Sequence, residues 1–107
     1  MTINKICYRG GMLPDNAAPS SLPWRVWDGE TLTLAICQLI EQEGLLELSG
    51  TYGDPSWGDP VQYDELVITS ADGTEVRIIC YNRALGLIFA STSALMAIHR
   101  AIGKLTR

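Results

Sequence analysis

The chain has 107 residues, of which 47% are hydrophobic and 19% charged, and its formal net charge is −4 at pH 7. This is the length of one domain, and the apolar content is too high for a wholly disordered chain. The longest apolar run, residues 84–90, is far shorter than the roughly 18 to 20 residues of a membrane-spanning helix. Residues 1–11 lack the apolar stretch of a signal peptide. We therefore expect one cytoplasmic domain over residues 1–107.

The first third of the chain predicts a strand followed by a loop. Residues 2–9 alternate loosely between polar and apolar side chains, and Gly10-Gly11 is expected to end that strand. Residues 12–23 contain three prolines and show almost no periodicity. They predict a loop that crosses the surface.

A helix is predicted next, over about 30–43. Apolar residues recur there at helical spacing, Asp28 is a candidate N-cap, and Gly44 is a candidate C-terminal stop. The period then changes, because leucines at 46 and 48 alternate with polar residues. Residues 45–52 therefore predict a half-buried strand.

The last third predicts strands and a final helix. Residues 62–70 and 74–81 are rich in β-branched residues and flank Ala-Asp-Gly, which indicates a hairpin. Residues 84–91 predict a further strand, and 91–93 offer N-caps for the final helix. Its predicted apolar stripe consists of Leu95, Ile98, Ile102 and Leu105. We expect an α+β fold: an antiparallel sheet of about four to five strands with two helices packed on one face.

The charges are segregated along the chain. Residues 26–76 hold eleven carboxylates and no lysine or arginine, whereas five basic residues and no acid follow Glu75. The acidic middle and the basic end could neutralise each other in the fold. Alternatively, the carboxylates share a face that steers a basic partner toward it. That face would repel nucleic acid, and Arg100 with Lys104 is a weak candidate for binding it.

The stretch YGDPSWGDPV, residues 52–61, places a tryptophan between two Gly-Asp-Pro triplets. Tryptophan is enriched among the residues that dominate protein interfaces, and prolines lower the cost of ordering a loop. The alternative is that Trp57 caps the core and the aspartates cap turns. Trp24 and Trp27 are expected to pack against the first helix, and the alternative is that they contribute to a binding surface.

Catalytic and metal chemistry have little support in the sequence. We expect Cys7, Cys37 and Cys80 to be reduced and buried, and no pair has the spacing of a zinc site. His99 is the single histidine and is expected at the edge of the core. The chain contains neither a serine nucleophile elbow nor a phosphate-binding glycine loop. No enzymatic activity, metal or cofactor is therefore predicted.

Three functional hypotheses remain, in order of preference. The first is a protein-binding inhibitor that occludes a basic, nucleic-acid-handling site on a partner, such as a nuclease or nucleoprotein effector complex. The second is a non-catalytic subunit that forms a homodimer through an exposed strand or the last helix. The third is a small enzyme that uses a cysteine with His99. The partner-binding residues predicted for the first are Trp57, Asp54, Asp59, Tyr52 and Tyr63, with Glu47, Asp64 and Glu65 adding negative charge.

Small acidic proteins of this kind, without cofactor or catalytic signature, include immunity proteins, antitoxins and phage-encoded inhibitors of host defence complexes such as anti-CRISPR proteins. The likeness is one of general type and no motif carries it.

Overall fold

The computed structural model describes residues 2–14, 16–58 and 60–107. The strands are β1 (Ile3–Leu13), β2 (Arg25–Asp28), β3 (Gly50–Gly53), β4 (Val61–Ser70) and β5 (Glu75–Tyr81). The helices are α1 (Leu34–Gln42), α2 (Arg83–Phe89) and α3 (Ser93–Leu105).

The five strands form one sheet in the order β2-β1-β4-β5-β3. Neighbours are antiparallel except that β3 runs parallel to β5 at the edge. The predicted α+β class is confirmed. The sheet is mixed rather than purely antiparallel, and the described residues form three helices instead of two. None of these helices has the length and apolar character that spanning a membrane requires.

The sequence predicts that β1 ends at the glycine pair, but the strand continues to Leu13. Gly10 lies opposite Asp64 of β4. A Cβ at Gly10 would lie only 2.0 Å from the hydroxyl oxygen of Tyr8 and 2.6 Å from Oδ1 of Asp64. The glycine therefore leaves room for the contact between the Tyr8 hydroxyl of β1 and the Asp64 carboxylate of β4.

The predicted hairpin is confirmed as β4 and β5, which pair in antiparallel register. Its turn contains Gly73 at a φ of 89°. The carboxylate of Asp72 accepts hydrogen bonds from the Ser70 hydroxyl and from the Thr74 N–H at 3.0 Å. These bonds, with that from Ser70 the largest cause, lower the pKa of Asp72 to about 2.

The region before α1 differs from the prediction. Residues 25–28 form the edge strand β2, which the sequence analysis missed. Asp28 precedes a 3-10 turn at Gly29–Thr31, whereas the Thr33 side chain caps α1 by accepting from the Ile36 N–H at 3.3 Å. The stop at Gly44 is as expected, since it has the left-handed φ of 69°.

The predicted strand over 45–52 is only partly correct. Residues Leu45–Glu47 form a 3-10 turn, and the strand is confined to β3. At the end of β3, a Cβ on Gly53 would lie 1.9 Å from the carbonyl oxygen of Tyr81. Glycine is required there both by this close backbone approach and by its φ of 80°.

The strand predicted for residues 84–91 is wrong, because this segment forms α2. A short continuous apolar run fits a buried strand and a buried helix turn equally well. Buried Gly86 lets α2 approach α3 closely, since a Cβ there would lie 2.5 Å from Cδ2 of Leu95. This tertiary contact is not visible in the local sequence pattern.

The hydrophobic core lies between one face of the sheet and the helices. Ile6 of β1 and Ile68 of β4 are fully buried there, against Ile40 of α1 and Ile98 of α3. The predicted stripe of α3 is confirmed, because all four of its residues are buried. On the opposite face, the Trp24 ring covers the guanidinium of Arg9 at 4.2 Å. We call the core side the inner face and the other side the outer face.

Candidate functional site

Side-chain hydrogen bonds order the loop that carries Trp57. Asp54 follows β3, and its carboxylate accepts hydrogen bonds from the Ser56 N–H at 2.8 Å and the Ser56 hydroxyl at 2.7 Å. The bond from the Ser56 backbone, followed by that from its hydroxyl, lowers the pKa of Asp54. Residues Pro55–Trp57 form a 3-10 turn that this cap begins.

The side chain of Asn82 connects this loop to the sheet through hydrogen bonds. Its side-chain amide donates to the Asp54 carbonyl oxygen at 2.9 Å, and its carbonyl oxygen accepts from the Gln62 N–H at 3.0 Å. Asn82 is 3% exposed and has a φ of 50°, a conformation that asparagine tolerates better than most residues. One buried side chain therefore joins the Trp57 loop, β4 and the start of α2.

The Trp57 ring packs edge-on against Phe89 of α2. Their ring centroids are 6.0 Å apart and the rings are inclined by 66°, an arrangement typical of favourable aromatic pairs. Trp57 is half-buried, whereas Phe89 is 64% exposed and the preceding Ile88 is 74% exposed. Ile88 and Phe89 were not among the predicted contact residues, because their segment was expected to form a strand.

Of the other predicted contact residues, three flank or form the edge strand β3. Glu47 is exposed in the turn before β3, and Asp54 is half-buried just after it. Tyr52 lies within β3 and packs partly against the core. Neither Glu47 nor Asp54 has a lysine or arginine nitrogen of residues 2–14, 16–58 or 60–107 within 4 Å of its carboxylate. Asp59 lies outside the described residues.

Tyr63, Asp64 and Glu65 occupy a different environment from the one expected. They are 3%, 1% and 2% exposed, so they do not contribute an exposed acidic surface, and that expectation is corrected. Tyr63 packs against Tyr81, with ring centroids 5.5 Å apart. These residues lie in β4, the centre of the sheet, and the sequence alone did not place that strand between two others.

Glu65 is the centre of an ion cluster on the outer face. It accepts hydrogen bonds from Arg9 and from the Tyr63 hydroxyl, each at 2.8 Å, and it also pairs with Arg77. Burial raises the pKa of Glu65, but the bonds from Tyr63, Arg9 and Arg77 outweigh it, and the pKa lies below the ordinary value. Burial and the bond to Glu65 raise the pKa of Tyr63 to about 12.

Asp64 is the centre of a second polar cluster, on the inner face. It accepts a hydrogen bond from the Tyr8 hydroxyl at 2.5 Å and one from Arg83 Nε at 2.9 Å. Arg83 also reaches Nδ1 of His99 at 2.7 Å. Burial, followed by the positive charge of Arg83, lowers the pKa of His99. The histidine is therefore a half-buried neutral acceptor beside an arginine.

Two of the three cysteines have thiol pKa values above the ordinary value. Cys80 is buried, and burial followed by the charge of Asp64 raises its pKa to about 12. Burial also raises the pKa of half-buried Cys7. Both shifts disfavour the thiolate that a cysteine nucleophile requires. Within the described ranges, no group of three His, Cys, Asp or Glu side chains is arranged to hold a metal ion.

Ion pairs neutralise several carboxylates of the acidic part of the sequence. Four arginines bind carboxylates: Arg9 and Arg77 bind Glu65, Arg83 binds Asp64, and Arg100 binds Glu43. Partial neutralisation, the first of the two interpretations of the charge segregation, therefore applies to these residues. The interpretation as a steering surface is narrowed to carboxylates outside these pairs, including Glu47 and Asp54.

Comparisons of the chain with protein-family models, curated proteins and solved structures gave no match.

Proposed function

We propose that this protein is a non-catalytic, protein-binding inhibitor that docks through the surface formed by Trp57, Ile88 and Phe89, together with Asp54 in the same loop and Glu47 before β3. We call these five residues the docking surface. The observation that carries the proposal is the contact between the half-buried Trp57 ring and the exposed Phe89 ring. Exposed apolar residues that adjoin one another are typical of protein interaction sites.

The docking surface has the features of a pre-organised interface. Aromatic side chains contribute a large contact area with few rotatable bonds. The Asp54 cap and the buried amide of Asn82 hold the Trp57 loop before any partner binds. A loop that is already ordered loses less conformational entropy on association, so more of the contact energy contributes to affinity.

The charge beside this surface favours a basic partner. Glu47 and Asp54 flank β3 at the sheet edge, and the whole chain carries −4. Basic protein surfaces commonly serve to bind the phosphates of nucleic acids. An acidic and aromatic surface that covers such a site inhibits it by steric and electrostatic occlusion, without turnover. This is the mode of action that we propose for the chain.

The first experiment is affinity purification of partners from a lysate of the native host. The purification compares wild-type protein with Trp57→Ala and Phe89→Ala. Both variants should lose the partner, because each removes one ring of the aromatic pair. Trp24→Ala is the matched control, since Trp24 is an exposed tryptophan that packs over Arg9 on the outer face. A partner retained by Trp57→Ala and Phe89→Ala, or lost only by Trp24→Ala, would overturn the assignment.

A second experiment tests the electrostatic part. The double variant Glu47→Gln/Asp54→Asn removes two charges, while the amide introduced at position 54 keeps an oxygen that can accept from the Ser56 N–H. Its association rate with the purified partner should fall and become less sensitive to salt. Glu30→Gln/Glu41→Gln removes two exposed carboxylates elsewhere and serves as the control. Equal effects of the two double variants would show that the net charge of the protein matters and that the positions of Glu47 and Asp54 do not.

The homodimer hypothesis is separated by light scattering. A dimer through an exposed strand or the last helix should persist in Trp57→Ala. If a second copy instead covers the docking surface, wild-type protein is a dimer and Trp57→Ala is a monomer. That result would replace inhibition with self-association as the role of this surface. A wild-type monomer that binds the partner supports the proposal.

A further inference from the structure

An open groove of about 490 Å³ lies at the other edge of the sheet, between β2, α1 and the last turn of α3. Its lining includes Arg25 of β2, Gln38 and Gln42 of α1, and Lys104 of α3. Its volume is within the range of protein pockets that bind small ligands or short peptide segments.

The groove is positively charged, although the chain as a whole is acidic. Its lining includes Arg25, Lys104 and Arg107, and no carboxylate side chain of the described residues. All three cations are exposed, and none of them forms an ion pair with a described Asp or Glu. The four arginines described above are already bound to carboxylates. The groove therefore collects most of the basic side chains that remain available to a ligand.

The α1 wall of the groove is uncharged although α1 lies within the acidic part of the sequence. The helix presents Gln38 and Gln42 to the groove, and Glu41 is absent from the lining. Glu43 binds Arg100, with Nε and Oε2 2.8 Å apart. This arrangement leaves two amides, which can donate and accept hydrogen bonds, next to the cations.

The floor of the groove is apolar, with Ile36, Leu39 and Leu105 among its members. Trp27 is 6% exposed, and the guanidinium of Arg25 covers its ring at 4.6 Å. The groove thus offers no free aromatic face, among the residues that the structure describes, on which a nucleic-acid base could stack. It combines apolar contact, amide hydrogen bonds and positive charge.

The geometry points to a groove that binds a short acidic segment of a partner protein. In this assignment, carboxylates of the segment pair with Arg25 and Lys104, and its apolar side chains lie on Leu39 and Ile36. The glutamine amides bond to its backbone. Charge complementarity favours this occupant, and the covered Trp27 ring disfavours nucleic acid. The site is separate from the docking surface, because β2 and β3 are the two opposite edges of the sheet.

The test is a peptide-binding titration in which fluorescence anisotropy reports the bound fraction. The probe is a short fluorescein-labelled peptide in which glutamate and leucine alternate. The same peptide with glutamine for glutamate and a labelled single-stranded oligothymidylate are the comparison ligands. The glutamate peptide should bind saturably at low salt, more weakly at high salt, and better than either comparison ligand.

Two variants of the groove cations locate the binding. Lys104→Gln should weaken peptide binding several-fold, and Arg25→Gln/Lys104→Gln about tenfold, since each cation makes a charge-assisted contact. Lys5→Gln is the matched control, because it removes the same charge from an exposed lysine on the outer face of β1. Wild-type affinity is expected for Lys5→Gln.

Three outcomes would overturn the assignment. They are absence of saturable binding of the glutamate peptide, tighter binding of the oligothymidylate, and equal losses in Lys104→Gln and Lys5→Gln. Because Trp57 is not part of the groove, these outcomes leave the docking surface proposal unaffected.

Discussion

Asp64 and Glu65 are consecutive residues of β4, and their carboxylates bind arginines on opposite faces of the sheet. Asp64 faces the helices and binds Arg83 of α2, whereas Glu65 faces outward and binds Arg9 and Arg77. Side chains alternate between the faces of a strand, so two adjacent acids necessarily point apart. The two acids that the sequence predicted to add negative charge to the partner-binding surface are thus divided between two neutralised clusters.

Removal of Glu65 should be strongly destabilising. Glu65→Ala leaves Arg9 and the Tyr63 hydroxyl without their buried acceptor. We expect a loss of about 2 to 3 kcal/mol in the free energy of unfolding, measured by urea denaturation. Glu75→Ala is the control, because Glu75 is 56% exposed and lies 3.9 Å from Arg77. A comparable loss in both variants would contradict the importance of the Glu65 cluster.

Two glycine substitutions should have opposite signs. Gly10→Ala places a Cβ against the Tyr8 hydroxyl and the Asp64 carboxylate, and is expected to destabilise the fold by about 1 to 3 kcal/mol. Gly103→Ala introduces a Cβ that meets nothing within 4 Å, inside α3. It should stabilise the protein by about 0.5 to 1 kcal/mol, because alanine favours helix. Thermal unfolding of both variants tests this, and a stabilising Gly10→Ala would show that the close contact is not required.

Mild acidification should weaken the fold through His99. Its folded-state pKa is below the ordinary 6.5, because burial and Arg83 outweigh the opposing charge of Asp64. Between these two pKa values the unfolded chain binds more protons than the folded chain, so stability decreases as pH falls through this window. His99→Gln keeps a hydrogen-bond acceptor for Arg83 but does not titrate. The unfolding free energy of the wild type should therefore drop more than that of His99→Gln between about pH 7.5 and about pH 5.5. Parallel pH profiles would rule out this role of His99.

The cysteines should differ in reactivity. Cys80 has a pKa of about 12 and is buried, so iodoacetamide should label it only after unfolding. Half-buried Cys7 and Cys37 should be labelled first in the native protein, as peptide mass spectrometry will show. Rapid native labelling of Cys80, with loss of a measured activity but not of structure, would favour the cysteine enzyme hypothesis instead.

Elements with a strong local pattern could be predicted from the sequence. The hairpin of β4 and β5 has β-branched strands around an Ala-Asp-Gly turn, and α3 has an apolar stripe with helical period. Residues 84–91 lack such a pattern, since a short apolar run has no period that separates helix from strand. The continuation of β1 past Gly10 could not be predicted for a related reason. The close contact of Gly10 with Asp64 is a tertiary one, which the local sequence does not show.

The candidate site was predicted only in part. The Trp57 loop could be recognised from its prolines and aspartates. Its contact with Phe89 could not, because it depends on the packing of α2 beside the loop. The burial of Glu65 likewise depends on the pairing of β4 with β1, which brings Arg9 alongside it from 56 positions away in the chain.

The two arginine-bound acids also restrict how β4 can align with its neighbours during folding. A shift of one position would turn Glu65 toward the apolar interior, away from Arg9 and Arg77, and would turn Asp64 away from Arg83. Misaligned sheets would thus separate both carboxylates from the arginines that they bind in the native fold. The chain encodes its strand alignment in salt links as well as in hydrophobic alternation.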